Sequence, residues 1–460
     1  MEEFVVEPQR QIPVRGEYDV IVGGGGTAGI IAAVASARNG AKTLLVERGG
    51  FLGGHIATQL LEHSAGWFDA KGGAIVGGLP VELVERLKAE EASPGHVRDD
   101  TGYTKFRLPI SHEVFKSVVT DWIAGEGVDL LVYSPAVAVF DSPDGRATVV
   151  VENKSGRSAY LAHALVDATG DADLAALGGA RFLGEAGGKT QPVSLLFKIG
   201  GVDHDKILDY VDTHPEDFKM GVGPAELRGR PHVNLWGFGA LLTKAYADGV
   251  LSLKRNEMHY AGFVETNEAV INATRVAADA TDANDLARAE IILRRQVLEF
   301  VRFFRKYVPG CENAFLAATA ACVGVRESRR IAGLTVLTDE HVRRASRSTD
   351  AIAVGGFPID SHDPTGSSMD AAEHVPSGYE IPYGALIPDQ GANVIVAGRS
   401  ISAERKALAS ARITGTCMAM GQAAGTAAAL SATSATPLPE LDISRLQERL
   451  RKQGAILAAP

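Results

Sequence analysis

The sequence predicts an α/β protein, and three observations predict it. A short apolar strand, Tyr18 to Val22, runs into the glycine-rich turn Gly23-Gly24-Gly25-Gly26-Thr27-Ala28-Gly29 and then into a small-residue helix, IIAAVASARN. A second strand, Lys42 to Val46, follows within about 30 residues and ends in Glu47-Arg48, which completes a strand–helix–strand unit. Far downstream, another strand (Asn393 to Arg399) and another small-residue helix (Thr414 to Leu430) repeat this texture.

The elements follow in order. Residues 1–16 form a polar lead-in or an edge strand, and Gly40 closes the first helix. Residues 49–80 are a glycine-rich loop region containing His55 and His63. Helices are expected over 81–91 and 112–127, both with apolar residues at helical spacing. Strands are expected at 128–133 and 136–140, then a β-rich stretch to about 170. The middle segment, 181–385, carries most of the His, Trp and Tyr residues, with helices near 282–307 and loops near 355–380. An amphipathic helix closes the chain at 443–453.

The chain has 460 residues, 45 % of them hydrophobic, and a formal net charge of −10. That length exceeds a single core and implies about two or three domains. The apolar fraction argues against disorder. The acidic balance argues against a nucleic-acid partner and an anionic membrane surface. Glycine is 51 of 460 residues, clustered at 23–29, 49–54, 72–78 and 178–188, as expected where backbone must approach a ligand closely. The three cysteines, Cys311, Cys322 and Cys417, form no CxxC pair. This fits a reducing compartment and argues against a dithiol redox centre and an iron–sulfur cluster. With no signal-peptide pattern and no apolar run near 18 residues, a cytoplasmic location and no membrane span are expected.

Gly24, Gly26 and Gly29 satisfy GxGxxG. The motif is weak alone, but here it follows a strand, opens a helix and is answered by Glu47 about twenty residues on. This is the context of a Rossmann-like dinucleotide-binding turn. Gly24 allows the tight turn, Gly26 admits a pyrophosphate, and Gly29 lets helix pack on sheet. The helix N-terminus offers free N–H groups and positive partial charge to phosphate. Glu47 would accept from a ribose diol.

Four segments resemble the FAD-dependent oxidoreductases built on a glutathione-reductase-like domain, a group that includes succinate dehydrogenase and fumarate reductase flavoproteins. They are DVIVGGGGTAG with Glu47-Arg48, LVDATGDADLAALGGA at 165–180, NVIVAGRSISA at 393–403 and GTCMAMGQAAGTAAA at 415–429. VPGCENAFL and GVRESRRIAG resemble a bacterial subgroup of this family. The resemblance implies bound FAD. It puts Gly24, Gly26, Thr27, Ala28 and Gly29 on the pyrophosphate, Glu47 on the adenosine ribose and Arg48 beside the adenine. Val137 would meet the adenine edge through its backbone, and Thr169 and Gly170 would lie by the adenosine half. Gly53 and Gly54 would run beside the flavin. Gly398, Arg399, Thr416 and Cys417 would approach the ribityl chain and ring, with Asp171 or Asp173 as further contacts or helix caps.

In succinate dehydrogenase-like proteins a histidine in a similar loop is bonded to the flavin 8α-methyl. The resemblance makes His55 a candidate for that bond, with a noncovalent flavin contact or a solvent-facing residue left open. For proton transfer the candidates are His63, His232, His259, His362, His374, Tyr379 and Tyr383, with His362 favoured and His63 next. Arg326, Arg329, Arg330, Arg405 and Arg412 could clamp a carboxylate or form ion pairs. No metal site is expected, since His362 and its neighbours have no second cluster at ligand spacing. A second GxGxxG after a strand, CxxCH, WxWxIP, GxSxG, Walker A and HExxH are all missing.

The expectation is therefore a discontinuous FAD domain (15–180 and 386–436), an inserted α+β substrate-capping domain (181–385) and a C-terminal helix and tail (437–460). The expected activity is hydride transfer between a small polar or carboxylate-bearing substrate and flavin N5. Oxygen, a quinone or a partner protein would be the electron acceptor, and the chain could form a homo-oligomer. A flavin monooxygenase with an external reductase, and a non-enzymatic flavin-binding partner protein, are the alternatives.

Overall fold

The computed structural model describes residues 4–142, 144–184, 190–363 and 369–460. Part of the glycine cluster at 178–188 and of the loop expected at 355–380 lies outside the described residues.

The first strand, β1 (Val14–Gly23), is followed by α1 (Thr27–Arg38) and β2 (Thr43–Val46). Next come α2 (Gly54–Thr58), β3 (His63–Ser64), β4 (Phe106–Pro109) and α3 (His112–Gly125). Then β5 (Asp129–Leu131), β6 (Ala136–Asp141), β7 (Ala147–Asn153) and β8 (Gly156–Asp167) complete the first layer. The sheet order is β5-β2-β1-β8-β7-β6. β5, β2, β1 and β8 run parallel, and β7 and β6 form an antiparallel flank. Val20, Ile21 and Val22 are fully buried, as central parallel strands covered on both faces must be.

A second, antiparallel sheet follows, in the order β10-β11-β12-β9-β13. Its strands are β9 (Phe197–Gly200), β10 (His232–Gly237), β11 (Met258–Phe263), β12 (Glu268–Asn272) and β13 (Phe315–Thr319). Helix α4 (Ala283–Tyr307) lies between β12 and β13 in the chain. Its Phe300, Phe303 and Phe304 join Leu235, Tyr260 and Ile271 in one apolar cluster spanning Val193 to Ala320. Alternate residues of the same strands face the other way: Asn234, Trp236, His259 and Asn272 line a cavity. A period of two gives this sheet one dry face and one polar face.

The loop expected near 355–380 is largely strand. β14 (Ala351–Gly355) pairs with β17 (Tyr379–Pro382), and β15 (Ile359–His362) pairs with β16 (Met369–Glu373). The turn-forming residues of FPIDSHDPTG dominate its composition and mask the short strand inside it. Residues from Leu337 to Ile387 pack into the core of the parallel-sheet layer rather than with the second sheet.

The chain returns through β18 (Val394–Val396), which pairs in parallel with β8. Helix α5 (Thr414–Ser434) then crosses α1, and α6 (Ile443–Lys452) closes the chain. Small residues make the crossing possible. A Cβ on Gly421 would lie 2.2 Å from the Ala28 carbonyl oxygen, and one on Gly425 would lie 2.0 Å from that of Ala32. Both steps are four residues in the same direction, so α1 and α5 run parallel. No helix among the described residues is long and apolar enough to cross a membrane.

Candidate active site

The turn after β1 is dictated by sterics. Gly24 has φ +93°, and a Cβ at Gly29 would lie 1.8 Å from the Gly24 carbonyl oxygen. Gly26 differs: its nearest neighbours to an added Cβ are at 3.8 and 3.9 Å. Space is therefore kept at the N-cap of α1, where no side chain caps the helix. Thr27 and Ala28 form the first turn, and Ala28 also faces Gly398. The loop from β2 folds onto this turn. Gly53 N–H donates to the Gly25 carbonyl at 2.8 Å, and a Cβ on Gly54 would meet the Gly26 Cα at 2.8 Å.

Glu47 accepts from the Gly25 and Gly49 N–H groups, both at 2.6 Å. Its carboxylate thus fixes both loops and retains lone pairs for further donors. Arg48 is 66 % exposed and its nearest charged partner is Asp171, at 3.9 Å. Val137 lies on β6, half-buried. Thr169 donates to Asp167 and its hydroxyl accepts from Asp173 N–H, so its visible role is to shape the turn. Gly170 has φ +82° and sits against the Arg399 guanidinium. Arg399 pairs with Asp171 at 2.7 Å and donates to Ser328 Oγ at 2.8 Å. Burial raises the Asp171 carboxyl, but Arg399, Ser328 and Arg48 together outweigh it and hold the group below its ordinary range.

At the N-terminus of α5, Thr416 Oγ1 is buried and has no hydrogen-bond partner among the described residues. Cys417 is buried, and burial pushes its thiol up to about 12. The open Gly26, the uncapped α1, the parallel N-terminus of α5 and the orphaned Thr416 hydroxyl suit a dinucleotide with a polar ring system.

Next to this cradle is a cavity of about 300 Å³. His55, His63, His259 and His362 all line it, whereas His232 and His374 do not. Tyr103, Trp236 and Phe357 form an aromatic wall, with Tyr103 to Trp236 centroids 5.0 Å apart. Arg326 donates to Pro192 O at 2.7 Å and to Ser194 Oγ at 2.5 Å. Arg412 contacts the Asp360 carbonyl at 3.1 Å and its carboxylate at 3.4 Å. Arg329 and Arg330 turn instead to Asp173 and Ala403.

His362 is held on both sides. Arg275 Nη2 lies 2.9 Å from its Nδ1, so that nitrogen accepts, and Nε2 faces Asp360 Oδ1 at 3.3 Å. Burial pushes the imidazole down to about 3, and Asp360 opposes the shift. Burial also lowers the Arg326 guanidinium, with Arg275 and Arg412 adding like-charge repulsion. His55, on the first turn of α2, is pushed down to about 3 by burial and then by Arg399. Burial alone would raise Glu62, but the imidazoles of His63 and His259 hold it down at about 2.

The family model of FAD dependent oxidoreductases matches residues 19–450. The chain belongs to this family. It is an FAD-dependent enzyme. No curated protein matches the chain significantly. Among solved structures, it is similar to a geranylgeranyl bacteriochlorophyll reductase-like protein from Thermoplasma acidophilum: 12 % identity, TM-score 0.47, covering 96 % of this chain and 84 % of that one. It is also similar to p-nitrophenol 4-monooxygenase PnpA from Pseudomonas putida DLL-E4: 10 % identity, TM-score 0.47, covering 95 % and 84 %.

For this oxidoreductase the sequence did not single out Glu62, Asp360, Arg255 or Arg275, all of which line the cavity. Asp360 carried a readable signal, since it stands two residues before His362 on one strand and therefore on the same face. Glu62 had none beyond its place next to His63.

Proposed function

We propose that the enzyme oxidises a small carboxylate-bearing organic substrate, with His362 accepting the substrate's proton and Arg412 and Arg326 holding its carboxylate. When bound, FAD supplies a hydride acceptor at N5. The observation carrying the reading is the Asp360–His362 pair set among guanidiniums. Arg255, Arg275, Arg326 and Arg412 line one cavity. The carboxylates of that cavity are Asp360, Glu257, Glu62 and Asp99; Glu257 pairs with Lys219 at 2.8 Å, and Glu62 and Asp99 lie on the wall with His63 and His259. An anionic substrate relieves that crowding of positive charge.

Asp360 fixes the imidazole and stabilises the imidazolium that forms. Arg275, drawn toward the substrate carboxylate, leaves Nδ1 to take the proton. Tyr103, Trp236 and Phe357 exclude water from the reacting carbon. Glu47 holds the adenosine ribose, the α1 N-terminus receives the diphosphate, and His55 is a noncovalent flavin contact. Within the family, the motifs at 165–180 and 393–403 favour the succinate dehydrogenase-like branch.

Anaerobic mixing with hydroxy acids, amino acids, amines and sugars tests the reading. The expected result is bleaching of the flavin by an acid and not by its uncharged amide or ester. Oxygen-dependent hydroxylation that requires an external reductase would instead identify a monooxygenase.

A further inference from the structure

We propose that Glu62, His63 and His259 bind a divalent first-row transition-metal ion such as Zn²⁺ on the cavity wall. His63 stands on β3 and His259 on β11, from different sheets, and Glu62 precedes His63. The His63 Nδ1 lies 3.0 Å from Glu62 Oε1, and the His259 Nδ1 lies 3.5 Å from the same oxygen. All the ligating atoms fall within 4.8 Å of one another, the one such trio among the described residues. Ligands held about 2.1 Å from a tetrahedral ion are about 3.4 Å apart. The two spacings to Glu62 Oε1, 3.0 and 3.5 Å, bracket that figure, and the ligating nitrogens of the two imidazoles lie within 4.8 Å of each other.

The second observation is a buried carboxylate oxygen with no hydrogen-bond partner among the described residues. Glu62 is 4 % exposed. Its Oε2 has no hydrogen-bond partner among the described residues, and neither does the His63 Nδ1, which approaches Oε1 without hydrogen-bond alignment. A carboxylate removed from water and left half-satisfied is costly. A bound cation supplies what it lacks. Arg107, whose charge bears on His259, pairs with Asp100 at 2.9 Å, and Asp99 acts on His259 in the opposite sense.

The donor set selects the metal class. Two imidazoles and one carboxylate suit zinc, iron, nickel or copper, not the all-oxygen preference of Ca²⁺ or Mg²⁺. Three protein ligands leave coordination positions open, and all three residues line the cavity. The ion would therefore present an open position to an oxygen of whatever occupies that space. This site does not depend on the hydride-transfer reading.

The test uses the FAD-loaded enzyme, stripped with chelator and dialysed against Zn²⁺ or Co²⁺. Elemental analysis is expected to give one ion per chain, and saturating Zn²⁺ is expected to raise the wild-type melting temperature. His259→Asn and Glu62→Gln should each weaken uptake at least about 100-fold while the flavin absorbance persists. His232→Asn, outside the cavity, should leave uptake unchanged. No uptake, no thermal shift, or uptake that survives both ligand substitutions overturns the proposal. Flavin bleaching by the substrate panel is read separately, so failure of either idea is distinguishable from failure of the other.

Discussion

Asp360 Oδ1 lies 3.3 Å from His362 Nε2, and the two side chains share a face of one short strand. Burial pushes His362 down to about 3, so the imidazole is neutral throughout the range above that value, and proton transfer to it waits on the shift of Arg275 toward a bound anion. The ordinary acid limb of a histidine base near 6.5 is therefore expected to be missing from kcat/KM between pH 5 and 8. His362→Gln should slow flavin reduction about 10²- to 10⁴-fold, measured by anaerobic stopped flow. A full-strength acid limb at pH 6–7 in the wild type would contradict this assignment.

The same lowering makes a statement about stability. A histidine whose folded pKa is depressed binds fewer protons folded than unfolded. Stability is then complete above the unfolded value near 6.5 and is lost as pH falls toward about 3. His55 and His362 both behave this way. Each contributes a slope of about 1.4 kcal/mol per pH unit below 6.5. The melting temperature should fall between pH 6.5 and 5, and His362→Gln should flatten that fall.

The Arg412 guanidinium, 12 % exposed, donates to both the backbone carbonyl and the carboxylate of Asp360. Arg412→Met removes the charge while keeping the length. For a carboxylate substrate KM should rise about 10- to 100-fold, since a charge-assisted bond contributes about 1.5–3 kcal/mol. For the uncharged ester the change should be small. Equal losses on both substrates would show that Arg412 shapes the cavity rather than binding the anion.

Much of this architecture is legible in the sequence because it is local. The turn from Gly23 to Gly29, the answering Glu47 and the glycines of α5 are each written within a few residues, and local sterics decide their shape. The site is less legible because it is assembled from distant parts. Glu62 and His259 meet only after the second sheet folds over the loop following α2. The polar face of that sheet alternates through Asn234, Trp236 and His259, a period-two signal hidden in mixed composition. Where the chain leaves that sheet, the segment from Leu337 returns to the first core, and no change of composition marks the place.

His55 lines the cavity and feels the guanidiniums of Arg399, Arg412 and Arg326 against the single carboxylate of Asp171. Those charges suit the polar N5 and pyrimidine edge of a flavin rather than its apolar methyl edge. The flavin should therefore be noncovalent, and acid precipitation should leave all yellow colour in the supernatant. A yellow pellet that turns colourless in His55→Ala would establish the covalent bond instead.

Gly26 and Gly29 stand three residues apart and should respond oppositely to alanine. At Gly29 a Cβ would sit 1.8 Å from a backbone oxygen, and the helix cannot yield without leaving β1. Gly29→Ala should therefore lower soluble yield and abolish a cooperative melt. At Gly26 the nearest atoms are 3.8 Å away, so Gly26→Ala should fold. Its methyl group would occupy the space kept for the diphosphate and interfere with close approach to the helix N-terminus. The expected product is a folded, colourless protein whose affinity for FAD has fallen at least about tenfold, a loss of about 1.4 kcal/mol. Fluorescence quenching of added FAD measures that affinity directly. If Gly26→Ala bound FAD as well as the wild type, the diphosphate would have to lie elsewhere than on α1.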